Sequence, residues 1–545
     1  MFSKELPKSA CCAALMNEIQ PIADKYLGTY PECLPYTLFC EFAETGERVG
    51  YEEKYFDHRR RVNSLFFSYL HTKDKKYFTA LIDAIAAILD EYTWAVPAHV
   101  NGRELGATIA KIDLFASETV YALSEIDTIL ADELPERIRE RIRYETKRRI
   151  LDVFFAGTEN YPCSNWSAVQ GAGITAALVR LFPERLSEGL PILLPILQNF
   201  LDSYNEDGCC MEGSLYWIYG FGFFTYAADL LREGTEGRVD LFKNPKVEKM
   251  AHFFENITFR NGFVVPFADS PLQCKMRVGL ASFLHNEFGA ALPDSNLLVG
   301  VADDTRFRFA DLLHDLYWGE DFDAAGAVRL GEYYYPDSQW YIYRTEGMSY
   351  AAKGGHNMEP HNHNDIGGFV LFDGEKTVLG DLGWEEYVRN YFGPRRYLDF
   401  LLTPSTGHSV PVVEGRAQMV TEQKATVSEA RDGVFAVDIG AAYGIEHFYR
   451  RFAWEGNVLS ITDCCEKPFT ERFITSYRPE YIDGQLTVGG VRVFIDRPAR
   501  IHVSEHTYRP RRIICGENLK EVETAYIVEL IPEGNPDTVT LRFKK

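Results

Sequence analysis

Residues 353–387 read KGGHNMEPHNHNDIGGFVLFDGEKTVLGDLGWEEY. Phe369 to Phe372 and Thr377 to Leu379 are short apolar runs on either side of Asp373-Gly374, a pair suited to tight turns, so the segment reads as a β-hairpin. Immediately before it stands Glu359-Pro360-His361-Asn362-His363-Asn364-Asp365, a dense polar cluster in a chain with 13 His in 545 residues. In an extended chain, positions i, i+2 and i+4 share a face, so His361, His363 and Asp365 are expected to point together toward a metal or a substrate. Asp381 follows the second apolar run, and His408 sits in Thr406-Gly407-His408-Ser409. A His, Asp, His set from neighbouring strands suits Zn²⁺, with a water or one more ligand completing it. An HxH pair is as often hydrogen-bonded or surface-exposed as ligating, so the spacing alone leaves both readings open.

Outward from this stretch toward the C-terminus, the period-2 pattern continues. Gly456-Asn457 separates Phe452 and Trp454 from Leu459 and Ile461, and Gly489-Gly490 separates Leu486 and Val488 from Val491 and Val493. Val539, Leu541 and Phe543 alternate with Thr538, Thr540 and Arg542, as in a strand with one buried face. Hairpins at this density imply an antiparallel β-sandwich. Toward the N-terminus, from about Glu44 to Leu316, apolar residues instead recur at three- and four-residue steps, as in Tyr77, Phe78, Leu81, Ile82, Ile85, Ile88 and Leu89. Pro135 and Pro191 are placed to open helices. No fixed-length repeat is present, so the helices are expected to form a bundle or an (α/α) toroid. The fold class is therefore multidomain α+β: residues 1–325 an N-terminal helical (α/α) toroid, residues 326–545 a C-terminal antiparallel β-sandwich carrying the candidate metal site. Interfaces between two such domains often hold ligand clefts.

The formal charge is −22, from 57 Lys plus Arg against 79 Asp plus Glu, which repels phosphate backbones and anionic membranes. Neither nucleic acid nor a membrane is an expected partner. A few Arg, Asn and His in one cleft can still reverse the local potential for a small anion. Aromatic residues make up 14% of the chain, enough for ring-lined clefts as well as core. No stretch has the length and apolarity of a signal or a membrane span, and the 11 Cys include the adjacent pairs Cys11/Cys12, Cys209/Cys210 and Cys464/Cys465, which do not read as a disulfide framework. The reading is a cytoplasmic protein, with a homodimer an open expectation for a two-domain chain of this size.

The stretch 353–387 resembles the sheet domain of the heparinase II/III-like polysaccharide lyases. YEEKYFDHRRR (51–61), DEYTWAVPAH (90–99), SNWSAVQGAG (164–173), DGCCMEGSLYWIYG (207–220) and VPFADS (265–270) resemble helical segments of the same superfamily, so the likeness runs from about residue 50 to 410. It implies a helical toroid and a β-sandwich enclosing a cleft in which an acidic, glycosaminoglycan-like polysaccharide is cleaved by β-elimination, with a Zn²⁺ shaping the cleft. By resemblance the metal ligands are His363, Asp381 and His408. The catalytic histidine is His361, the toroid tyrosine is Tyr219 or Tyr216, and a further tyrosine is Tyr387. Where the family has Asn-His in the toroid, this chain has Asn165-Trp166, and His99 is the candidate substitute for the absent histidine.

β-Elimination of a uronate needs its carboxylate neutralised, a base at C5 and an acid at the leaving O4. Asn165 and Arg395 or Arg396 are candidates for the first task, with Trp166 to stack on a sugar and Glu212 to contact one. Tyr219 with His361 leads for the acid and base, with Tyr216 close behind. Each has a plainer reading. Tyr216 and Tyr219 lie in an aromatic stretch that could simply be core, Asn165 and Glu212 could be helix-start residues, and Asp269 could cap a helix or line the cleft, with the structural role preferred. Asp365 reads as orienting a metal histidine rather than binding metal. Two other functions compete with a lyase acting on uronate oligosaccharides: a Zn-dependent carbohydrate hydrolase and a non-catalytic glycan-binding protein on the same fold.

Overall fold

A computed structural model describes residues 2–100, 105–304, 306–323, 329–388, 390–482, 484–511 and 521–545. The expected boundary between residues 325 and 326 lies outside the described residues. The chain divides into two compact units: Met1–Ser203, Ile218–Glu248 and Met276–Ala325 form the first, and Tyr204–Trp217, Lys249–Lys275 and Gly326–Lys545 form the second. Two stretches of the helical half, 204–217 and 249–275, thus belong with the sheets.

The first unit is built from helices that pack on their sequence neighbours. Val49–Thr72 and Lys75–Leu89 are joined at Asp74, whose side chain caps the second helix by accepting from the Lys76 amide at 3.0 Å. Lys75–Leu89 buries Tyr77, Phe78, Leu81, Ile85, Ile88 and Leu89, the face its periodicity marks. Asn165–Ala176 lies between Leu114–Ile129 and Leu186–Asp202. Gly173 permits one of these approaches, since a Cβ there would sit 2.6 Å from the Ser117 carbonyl oxygen. Pro191 does not open its helix as expected, because Leu186–Asp202 already includes it together with Pro195. Both prolines face outward, while Leu193, Ile196, Leu197, Phe200 and Leu201 bury the opposite face, which outweighs the lost backbone bonds.

Among its described residues the second unit holds three antiparallel sheets. The first is a meander of β1 (Gly331–Tyr335), β2 (Trp340–Arg344), β3 (Ser349–Lys353), β4 (Phe369–Phe372) and β5 (Thr377–Leu379), in that order. The remaining strands are β6 (Val412–Val413), β7 (Thr426–Arg431), β8 (Val434–Asp438), β9 (Tyr449–Glu455), β10 (Val458–Cys464), β11 (Phe469–Thr475), β12 (Glu480–Ile482), β13 (Gln485–Val488), β14 (Val491–Ile495), β15 (Ala499–Tyr508), β16 (Glu523–Pro532) and β17 (Thr538–Lys544). They form an eight-stranded sheet, β12-β13-β14-β17-β10-β9-β8-β7, and a four-stranded sheet, β15-β16-β11-β6. Both two-residue hairpins form where expected: Val458 pairs with Glu455 across Gly456-Asn457, and Val488 with Val491 across Gly489-Gly490. All four turn residues have positive φ, between 53° and 91°, which is why Gly and Asn occupy them. One apolar cluster joins the sheets, with Tyr350 and Phe369 from the first, Phe452, Ile461 and Leu541 from the second, and Phe473 and Val528 from the third. Among the described residues no helix is long and apolar enough to cross a membrane.

Candidate functional site

The His-rich segment is a loop between β3 and β4 and not an extended strand, so the expected common face of His361, His363 and Asp365 does not form. His361 itself takes a left-handed backbone, φ 55°, which breaks the alternation. Asp365 pairs with the buried Lys353 ammonium at 2.8 Å and makes no hydrogen bond to a metal-candidate histidine. His361 and His363 are instead brought together by Asp269, a residue expected in a structural role.

Asp269 is fully buried and collects five donors. His361 Nδ1 lies 2.8 Å from Oδ2 and His363 Nε2 lies 3.1 Å from Oδ1. The Tyr387 hydroxyl donates to Oδ2 at 2.7 Å, the Tyr391 hydroxyl donates to Oδ1, and Arg396 Nη2 reaches both oxygens at 3.2 and 3.3 Å. Burial alone would raise this carboxyl, but the hydrogen bonds from both histidines and the nearby positive charge hold it well below the ordinary carboxylate range. The preceding Ala268 has φ 65°, a strained value for a residue with a side chain. The loop is anchored from the helix Ser214–Gly234, where the Ser214 hydroxyl meets that of Ser270 at 3.0 Å, and Gly213 admits Ser270 because a Cβ there would lie 2.7 Å from it. Asp207 fastens the start of this segment to the β1–β2 turn by accepting from the amides of Asp337 and Ser338 at 2.9 and 2.8 Å.

Carboxylates only accept, so His361 Nδ1 carries the proton shared with Asp269, and Nε2 of a neutral ring carries the lone pair. The Tyr216 ring packs on His361 with centroids 4.3 Å apart, and its hydroxyl is 3.0 Å from that of Tyr387. Tyr387 spends its proton on Asp269, so Tyr216 is the donor of the pair. Burial pushes both phenols up, Tyr387 further under the Asp269 charge, with Arg511 acting in the opposite sense. Arg511 stacks on Tyr387, 3.4 Å from the ring centroid, and on Trp384 at 4.4 Å. Burial likewise raises the Glu212 carboxyl, against the pull of His361. Phe392, 58% exposed, meets the His361 ring at 5.2 Å.

His363, Asp381 and His408 bring one ligand atom each to within 4.8 Å of one another. His363 donates from Nε2 to Asp269, and His408 donates from Nε2 to the Leu402 carbonyl at 2.6 Å, so each ring turns Nδ1 and its lone pair to the shared point. Asp381 accepts from the Gly383 amide through Oδ1 at 2.8 Å. Its Oδ2 is buried without a hydrogen-bond partner among the described residues, as is His363 Nδ1. Three buried groups that turn lone pairs to one point, two of them without a hydrogen-bond partner there, fit a cation, and outer hydrogen bonds of this kind orient ligating histidines. Gly380, φ 132°, and Gly407 set the two flanking turns, where a Cβ would fall 2.2 Å from the Phe369 oxygen and 1.7 Å from the Leu401 oxygen.

Other expected residues have other partners. Tyr219 belongs to the helical unit, where its hydroxyl donates to Glu118 at 2.6 Å beneath the Arg308 guanidinium. Arg395 is exposed and paired with Asp399 at 2.6 Å, and the Arg396 guanidinium is buried against Asp269 and the Asn362 carbonyl. In the helical unit His99 and Trp166 come together with ring centroids 4.7 Å apart, and His99 Nδ1 lies 2.7 Å from Asp113 Oδ2. Asn165 starts its helix, but the cap is Ser164. Residue patterns missed Tyr391 and Arg511 and favoured a structural role for Asp269. The one signal for Asp269 is a lone acid directly after the apolar run Val264-Val265-Pro266-Phe267-Ala268, where a charge is costly without partners.

No protein-family model matches the chain, and no curated protein is similar to it in sequence. Solved structures are similar over almost its whole length. Heparinase III superposes with a TM-score of 0.64 at 13% identity, covering 92% of this chain and 78% of that one. Heparan sulfate lyase HepC from Pedobacter heparinus gives 0.61 at 14%, with 98% and 88% covered. Chondroitin AC lyase from Streptomyces coelicolor gives 0.56 at 11%, with 97% and 82% covered. Helical hairpins followed by antiparallel sheets, matched across these proteins, give the chain the heparinase-like polysaccharide lyase fold, an (α/α) toroid plus a β-sandwich.

Proposed function

We propose that the protein is a lyase that cleaves uronate-containing glycans by β-elimination, with His361 and Tyr216 carrying the proton transfers. The observation that carries the reading is the hydrogen-bonded cluster of Tyr216, Tyr387, His361 and Asp269. His361 Nε2 takes the C5 proton, the electron pair left on C5 forms the C4=C5 double bond, and the C4–O4 bond breaks. The Tyr216 phenol, kept protonated by burial, gives its proton to the departing O4. The products are a sugar with a restored hydroxyl and a 4,5-unsaturated uronate. Asp269 is a positioning residue that holds the tautomer of His361. Arg511, beside both phenols, is the cation placed to offset a substrate carboxylate, a task for which its planar fork is suited.

A Zn²⁺ would be held by His363, Asp381 and His408, where it supplies a cross-link and a local positive charge behind the His361 loop. All three are at most 2% exposed. Such burial favours this supporting role over the activation of a hydrolytic water. The test is incubation with uronate oligosaccharides while following the ultraviolet absorbance of the unsaturated uronate. Cleavage with that signal supports the lyase, whereas cleavage without it assigns a hydrolase.

A further inference from the structure

The helical unit contains a pocket that the proton-transfer cluster does not use, lined among others by Phe56, Arg59, Phe115, Glu118, Arg306 and Arg308. Its lining holds three guanidiniums and one carboxylate, in a chain whose formal charge is −22. Two of the three are matched. Arg59 grips Glu91 through two bonds of 2.5 and 2.7 Å, and Arg308 reaches Glu118 at 3.2 Å and Asp304 at 3.3 Å. Arg306 has no carboxylate within ion-pair distance among the described residues. Its guanidinium lies against Phe56 and Phe115, 5.3 and 5.2 Å from the centroids of two rings that meet edge-to-face at 5.0 Å.

Stacking uses the faces of a guanidinium and leaves its N–H edge for an acceptor. The segment that presents it is fixed: Phe307 takes a left-handed φ of 54°, and the Asn63 amide donates to its carbonyl at 2.6 Å. Burial and the neighbouring Arg308 push the Arg306 guanidinium down from its ordinary value. A bound anion would relieve that repulsion. Phe115 also stacks on His99, which meets Trp166, so a ring-lined wall runs on from the pocket.

We propose that Arg306 is the receptor of an oxyanion pocket that takes a carboxylate or sulfate of an acidic sugar. The choice of a sugar anion rests on the glycan-lyase reading, whereas the pocket's demand for an oxyanion does not. The probes are sodium sulfate and sodium glucuronate, titrated into the full chain against sodium chloride at matched ionic strength, with thermal unfolding as readout. One or both should raise the unfolding temperature saturably, and Arg306→Met should weaken that binding roughly tenfold or more. The arm that responds tells sulfate from carboxylate. On the unmutated protein, the effective anion should also protect Arg306 from phenylglyoxal, read by peptide mass, which keeps the test valid if the variant fails to fold. Equal anion binding by wild type and variant, or no protection by either anion, overturns the proposal. Anion binding that needs Arg306 in a protein that never forms unsaturated uronate keeps the pocket and removes the lyase; turnover without any anion effect does the reverse.

Discussion

Replacing Asp269 by Asn changes the buried cluster in two separable ways. The carboxylate accepts from five side chains, and an amide offers one oxygen plus an NH₂ that would face donors. Arg396 then keeps the carbonyls of Tyr391 and Asn362, at 3.2 and 3.1 Å, and at most one uncharged amide oxygen, and a buried cation stripped of its counter-charge typically costs ~3–5 kcal/mol. His361 loses the acceptor that fixes its proton on Nδ1, so the tautomer with a proton on Nε2 becomes accessible, and that tautomer cannot take the C5 proton. Loss of a positioned general base costs ~10²–10⁴ in rate, so kcat should fall by that order with KM nearly unchanged. Urea unfolding and steady-state formation of unsaturated uronate measure the two effects. Tyr391→Phe is the control, since it removes one donor from the same carboxylate at a cost of ~1–3 kcal/mol and leaves His361 held. An Asp269→Asn protein that unfolds cooperatively with unchanged kcat would refute the reasoning, as would equal kcat losses in both variants.

Tyr216→Phe should lower kcat by ~10²–10⁴, whereas Tyr219→Phe should keep kcat and lose ~1–3 kcal/mol of stability by taking a donor from Glu118. The reverse ranking would move the acid to Tyr219. Elemental analysis should find about one zinc per chain in the wild type and little in His363→Ala; equal contents would remove His363 from the ligand set. Burial pushes the His314 imidazole down to about 3, so as pH falls the unfolded chain takes up this proton before the folded one does. The stability it contributes is complete above the unfolded value of about 6.5 and is lost as pH falls toward 3, by up to ~1.4 kcal/mol per pH unit. Urea midpoints across that range should lose this component in His314→Phe, and an unaltered slope would assign the loss to other groups.

Period and turn chemistry made most of the architecture legible. Switching from a 3.6- to a 2-residue apolar repeat separates helices from strands because each repeat is the geometry of one buried face. Gly456-Asn457 and Gly489-Gly490 announce their hairpins because both turn positions need positive φ. Pro191 misled because a proline on the outward face of a helix is tolerated when the inward face is fully buried.

From the residues alone, Asp381, His408 and a histidine of the HNH segment could be nominated because they carry the right donor atoms, and the resemblance chose His363 among them. Which nitrogens face inward depends on Asp269 and the Leu402 carbonyl, at 94 and 6 residues' separation. The acid and base were harder to choose, because Tyr216 and Tyr219 are chemically identical in a one-dimensional reading and differ only in what each meets: His361 and Tyr387 for one, Glu118 and Arg308 for the other. Asp269 stayed hidden for the same reason. Local pattern determines helix, strand and turn through backbone geometry, whereas the function of a carboxylate or a phenol is set by partners that only long-range packing brings within hydrogen-bond reach.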